Sequence, residues 1–396
     1  MNNLSWRYLP RLDEVSPADL ARLFPEPSST GHFLSLLEES GVDGFKQSSI
    51  VVLQADVPVL LLPLFETRFD LSAFVEGWLK KMLQVAGFLV PSIFKPTLLC
   101  VGSLVGEWSE IGIDSRIDAG TLAAAGTMAF AVLQTIASER KSDVVALYNF
   151  NQYGRLPGEV FRNFTQVHYR SCASLTIDFS SMEEYLGRLS RGARKDLRRK
   201  MRVAAAVQVV RSRSIAPWLD KVYKLYLETV ERSPMAFGAL NRAFFEKICE
   251  AVPGAEYTLY FVEEKLVAFN LLVVKQEAME DKFFCMDYRL GRQYNLYFLS
   301  WLENVRICVE QKIPVYHAGM GTEEVKSHLG ATFIQSYILF RHRQPLLDRF
   351  LMAWPAINGK LLSQLGFWPK TNSSSNPAKL EPNRKNRRQI HADQIG

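Results

Sequence analysis

Apolar and polar positions divide the chain into segments of two kinds. Residues 50–65 hold two apolar β-type runs around Ala55-Asp-Val-Pro58, and residues 257–274 repeat that pattern around a turn at Glu263–Lys265. Both read as hairpins. The first is followed by a strand at 98–102, an Ala-, Leu- and Met-rich helix at 117–139, a buried strand at 144–150, a short helix at 157–164 and a strand at 167–179. The second is followed by a strand at 282–288, a long helix at 293–311, a strand at 314–317, a short helix at 323–329 and a strand at 332–341. The same order occurs twice, which predicts two copies of one α/β unit.

Between the copies, residues 182–207 contain strong helix formers and no Pro, with Ser181 as N-cap and Glu184 behind it. Helices are predicted at 217–233 and 241–251, and residues 1–30 read as loop plus a short helix. The predicted domains are 1–180 and 181–345, then a helical extension at 346–369. Residues 370–396 lack apolar content and read as a disordered basic tail.

The chain has 396 residues, 48% of them hydrophobic and 22% charged, which suits a globular protein of two domains. The net charge of +6 is concentrated in 188–213 and after Pro369, pointing to a locally anionic partner. Five scattered cysteines without a CxxC pair predict buried free thiols and no metal site. The most apolar stretch, 84–102, is interrupted by Pro91, Lys95 and Pro96, so no transmembrane segment is expected and a cytoplasmic location is.

Three constellations carry candidate chemistry. Asp287-Tyr-Arg-Leu-Gly-Arg-Gln-Tyr-Asn295 runs from strand to helix. A helix N-terminus with Arg289 and Arg292 beside it and Gly291 allowing close approach can hold a pyrophosphate such as that of coenzyme A. His317-Ala-Gly-Met-Gly321 ends a strand at a glycine pair, Gly319 and Gly321, with Lys326 on the following helix available to a phosphate or carboxylate. In the third, 188–202, basic residues outnumber the single Asp196, and Arg191, Arg194, Lys195, Arg198 and Arg202 share a helix face. A solvated face and an anion-binding face both fit this pattern. No Walker loop, HExxH or nucleophile elbow occurs.

Leu189-Ser-Arg-Gly-Ala-Arg-Lys-Asp-Leu-Arg-Arg-Lys200, Arg289-Leu-Gly-Arg-Gln-Tyr-Asn-Leu-Tyr297 and Tyr316-His-Ala-Gly-Met-Gly-Thr-Glu-Glu-Val-Lys-Ser-His-Leu-Gly-Ala331 occur in that order. Together they resemble Fem-type and CelD-like acyltransferases over about residues 180–340. The resemblance implies a mixed-sheet α/β fold of two tandem GNAT-like domains joined by a basic helix. It implies transfer of an acyl or aminoacyl group to an amine. Acyl-CoA is the expected co-substrate, with acyl carrier protein or aminoacyl-tRNA as alternative donors. The expected acceptor is anionic, a small molecule or glycan precursor.

On that model Arg289, Gly291, Arg292, Tyr294 and Asn295 contact the donor. Arg191, Arg194, Arg198, Gly319, Gly321 and Lys326 bind substrate, the arginines lining a cleft between domains. Asp287, His317, Glu323 or Glu324 serves as base, and Tyr294 or Tyr297 protonates the leaving group. His317 stands where the family commonly has Asp, and the donor turn lacks the full glycine pattern of acetyl-CoA enzymes. A catalytically silent binding protein and an RNA-binding protein are the competing classes.

Overall fold

A computed structural model describes residues 3–25, 29–68, 85, 95–105, 108–151, 164–232 and 239–349. In chain order the first half comprises β1 (Leu4–Leu9), α1 (Pro17–Leu23), α2 (Thr30–Ser40), β2 (Lys46–Gln54), β3 (Val57–Arg68), β4 (Thr97–Val101), β5 (Gly112–Ile113), α3 (Ala119–Glu139), β6 (Val144–Asn151) and β7 (Thr165–Thr176). Two linking helices follow, α4 (Met182–Arg188) and α5 (Arg191–Ala204). The second half comprises β8 (Gln208–Ser212), α6 (Leu219–Arg232), α7 (Arg242–Ala251), β9 (Ala255–Val262), β10 (Lys265–Val274), β11 (Met279–Met286), α8 (Tyr288–Gln293), α9 (Leu296–Gln311), β12 (Val315–Met320), α10 (Glu323–His328) and β13 (Thr332–His342).

The described strands form one mixed sheet in the order β1-β2-β3-β4-β6-β13-β7-β12-β11-β10-β9-β8, with β5 on β3. The expected boundary at 180/181 falls between β7 and α4, but the sheet does not stop there. The last strand of each half sits in the other: β13 pairs with β6, β7 pairs with β12, and the two pair with each other at the centre. Residues to Pro345 form one unit. Of the second unit, which begins at Leu346, only 346–349 are described. The expected helix at 157–164, most of the apolar stretch 84–102, most of the extension and the basic tail lie outside the described residues.

The repeat is structural in detail. Both hairpins turn on two left-handed residues, Ala55 and Asp56 in one and Glu263 and Glu264 in the other, the geometry whose twist matches paired strands. The same bulge follows each turn, skipping Val59 in β3 and Val267 in β10. Both long helices end on a left-handed lysine, Lys141 and Lys312. The next amide reaches back alike, Ser142 N to Ala137 O and Ile313 N to Cys308 O.

Several elements differ from the sequence reading. The helix expected over 182–207 is broken at Leu189, which turns extended and buries its side chain, while Ser190 caps a new helix by accepting from Ala193 N. Its last residues join β8, an edge strand too polar to stand out. β1, another mixed-polarity edge strand, and α2 were also not legible. The helix expected over 293–311 is α9, and the turn expected at Gly291 is itself a short helix, α8, separated from α9 by left-handed Asn295. Among the described helices α3 is long and apolar enough to cross a membrane. In this fold it places Ala125, Ala129, Leu133 and Ile136 in the core against β2 and β3. All five cysteines are buried free thiols.

Candidate active site

The sheet opens in the second half. β11 and β12 run parallel but pair only at Met279–Tyr316 and Glu280–His317. Beyond that rung a bulge at Lys282, opposite Leu271 and Leu272, bends β11. β12 has its own irregularity between His317 and Met320. The result is a fork between neighbouring parallel strands, a usual place for ligands in α/β sheets.

Asp281 stands at the base of the fork within a polar network. Its two oxygens accept from Asn270 Nδ2 at 2.9 Å each, and Oδ2 also accepts from Asn304 Nδ2 at 3.0 Å and Tyr316 Oη at 3.2 Å. Asn270 is held in that orientation because its own oxygen accepts from Tyr260 Oη at 2.8 Å and Ser300 Oγ at 2.9 Å. Burial pushes the Asp281 carboxyl up, to about 6, although Asn270, the Lys326 charge, Tyr316 and Asn304 all favour its ionised form. Sequence reading missed Asp281. Its strand was expected to begin at Lys282, and an Asp in a strand becomes conspicuous only when its partners, spread from 260 to 316, are known to converge.

Lys326 is buried, and its ammonium donates to the carbonyls of Ala318, Gly319 and Met320 at 2.7, 3.0 and 3.2 Å. This corrects its expected role as a phosphate ligand: the charge is turned inward and clamps the end of β12. Gly319 and Gly321 have φ of 68° and 79°, which only glycine adopts readily. A Cβ on Gly319 would also come within 3.3 Å of Asp281 O. Tyr297 Oη lies 2.7 Å from Thr322 Oγ1 across the fork's outer end, its hydroxyl pushed up by burial.

The donor turn differs from expectation too. Asp287 is the N-cap of α8 and accepts from Arg289 N and Leu290 N at 2.9 Å each. Its carboxylate thus occupies the position an anion would take at that helix end. Gly291 serves packing, since a Cβ there would meet the Met286 sulfur at 2.3 Å. Arg289 and Arg292 are exposed. Tyr294 ends α8, and Asn295 Nδ2 reaches Lys200 O at 3.5 Å. Asp287 is six residues beyond Asp281, or about 20 Å along an extended strand.

The expected arginine-lined cleft is not seen among the described residues. α5 buries Leu197 and Ala204, so Arg191 and Arg198 face solvent, and Arg194 donates to Gly187 O at 2.6 Å. Glu323 and Glu324 are exposed in the first turn of α10. His317 is half-buried, with its imidazole pushed toward the neutral form by burial. Among the described residues no cluster of His, Cys, Asp or Glu could hold a metal.

Residues 125–356 match a family model described as FemAB-like, peptidoglycan biosynthesis/recognition. Among solved structures the chain is similar to FemX, at 11% identity and a TM-score of 0.51, covering 87% of this chain and 100% of that one. It is similar to L-PGS from Bacillus licheniformis at 12% identity and a TM-score of 0.50, covering 87% and 96%. It is also similar to a tandem GNAT protein from the clavulanic acid biosynthesis pathway at 10% identity and a TM-score of 0.49, covering 87% and 99%. No curated protein matches.

Proposed function

The chain belongs to the FemAB-like family and carries an acyltransferase fold, and on that premise we propose that it transfers an acyl or aminoacyl group from an activated carrier to an amine at the β11–β12 fork. The observation supporting this most directly is the Asp281 network: a carboxylate tuned to about 6 and held by four side-chain hydrogen bonds where two parallel strands part.

In the proposed reaction the neutral amine attacks the carbonyl carbon of a thioester or ester. The C–N bond forms, the bond to sulfur or oxygen breaks, and the amine's proton passes to Asp281, directly or through water. The Tyr297 hydroxyl, kept protonated by burial, returns a proton to the leaving group. Lys326 fixes the carbonyl run that forms the opposite wall.

Acyl-CoA is the first donor to try. With α8 already capped by Asp287, its phosphates would rest on the guanidiniums of Arg289 and Arg292 instead of the helix end. Aminoacyl-tRNA is the second, favoured by exposed Arg191, Lys195, Arg198 and Arg202 on one face of α5.

Mass spectrometry of amine products formed from each donor tests the proposal. Transfer that disappears in Asp281→Asn, with the variant still folded by circular dichroism, is the expected result. Equal transfer by Asp281→Asn removes the assigned base, and no transfer from any donor favours a silent binding protein.

A further inference from the structure

Two buried hydrogen-bonding atoms on adjoining rings stand beside the fork. Among the described residues, Trp108 Nε1 and His317 Nδ1 are shielded from solvent and have no hydrogen-bond partner. Their rings stand edge to face, centroids 5.2 Å apart. Buried polar atoms are nearly always bonded, so such a pair calls for a missing partner. Trp108 comes from the first half, between β4 and β5, and His317 from β12 in the second. The pair therefore draws on both halves.

Its place ties it to the proposed chemistry. His317 pairs with Glu280, on the last rung before the fork, and Asp281 is the next residue along β11. Neighbouring strand residues point to opposite faces. Asp281 thus serves one side of the opening while His317 and Trp108 stand on the other, where Lys282 lies over the Phe33 ring and pairs with Glu280.

The chemistry of the pair restricts the guest. An indole N–H can only donate, so the guest atom must accept. An imidazole held neutral by burial offers a second N–H in the Nδ1 tautomer. Two donors on two walls suit a group with two acceptor oxygens. Building on the transferase reading above, we infer that Trp108 and His317 form a carboxylate subsite, and that the acceptor is an amine that also carries a carboxylate.

Binding can be measured without any donor. The full chain is titrated with L-lysine and glycine and, in parallel, with their carboxylate-free counterparts cadaverine and ethanolamine, following tryptophan emission. The chain has seven tryptophans, so Trp108→Phe isolates the responding one. The expected result is an emission change with L-lysine or glycine only, absent in Trp108→Phe. In His317→Ala the affinity, read calorimetrically, should fall about tenfold, the loss of one hydrogen bond to a charged group. Cadaverine binding as well as L-lysine would overturn the inference, as would wild-type affinity in both variants. A chain that binds carboxylated amines here yet transfers no acyl group fails the transferase reading and keeps the subsite. A chain that acylates cadaverine as readily as L-lysine keeps the reading and loses the subsite.

Discussion

Where the second half holds Asp281, the first half holds Val101. Two independent routes through the fold give this equivalence. From the hairpin turns, Leu64 pairs with Val101 as Leu272 pairs with Asp281. From the helix ends at Lys141 and Lys312, the rung Cys100–Ala146 corresponds to Glu280–His317, and the next residues are Val101 and Asp281. Counted from the hairpin turns, Asn270 corresponds to Leu62 and Tyr260 to Val52; counted from the helix ends, Asn304 corresponds to Leu133, Ser300 to Ala129 and Tyr316 to Val145. These first-half counterparts all belong to, or pack against, one apolar cluster. β4 and β6 stay paired from Leu98–Val144 to Val101–Leu147, without the bulge seen at Lys282. The strand ends are closed by a loop in which Ser109 N donates to Asn149 O and Ser109 Oγ accepts from Ser103 N.

One fold is thus built twice, dry and closed in one copy, polar and forked in the other. The polar version has a cost of its own: Asn304 Oδ1 is buried without a partner among the described residues, a loss of about 1–3 kcal/mol. Polar groups in a core that an apolar set fills in the sister copy support the proposed site.

The comparison can be broken most sharply at Asp281. Asp281→Asn should lower transfer about 10²–10⁴-fold in a kinetic assay, and a smaller change would demote the network to structure. The reciprocal Leu133→Asn should leave turnover unchanged and lower stability by about 2–5 kcal/mol in denaturant titration, because it puts an amide in a dry core. Turnover matching that of Asp281→Asn would mean both copies act.

pH sharpens the same contrast. The native Asp281 carboxyl at about 6 lies above the ordinary value of 3.8, so between the two the folded state holds a proton that the unfolded chain releases. Stability from this group is full below that window and declines as pH rises from about 4 to 6, by up to about 3 kcal/mol. Transfer should rise as pH passes through about 6, where the folded carboxyl ionises, since the ionised form is the proposed base. Asp281→Asn should flatten the stability slope, and an unchanged slope would place the titration elsewhere. Lys326→Met, which strands three carbonyls, should cost about 2–3 kcal/mol in thermal unfolding. Glu323→Ala, at an exposed position, should alter stability by less than about 0.5 kcal/mol and activity less than about twofold.

The sequence by itself determined the repeat, both hairpins, the long helices and the glycine pair with its lysine, because periodicity, turn residues and caps act over a few neighbouring positions. It also singled out 316–331, the segment that holds the end of β12 and α10, where the proposed site lies. Tertiary structure decided the rest. Lys326 reads as a free cation until β12 brings three carbonyls to it, and Asp287 reads as a free carboxylate until two amides of its own helix take it. β1 and β8 are edge strands with no clean alternation, so only pairing reveals them. The exchange of β7 and β13, and the convergence of Tyr260, Asn270, Ser300, Asn304 and Tyr316 on Asp281, depend on which strands become neighbours. That is set by long-range pairing and burial, for which local sequence carries no signal.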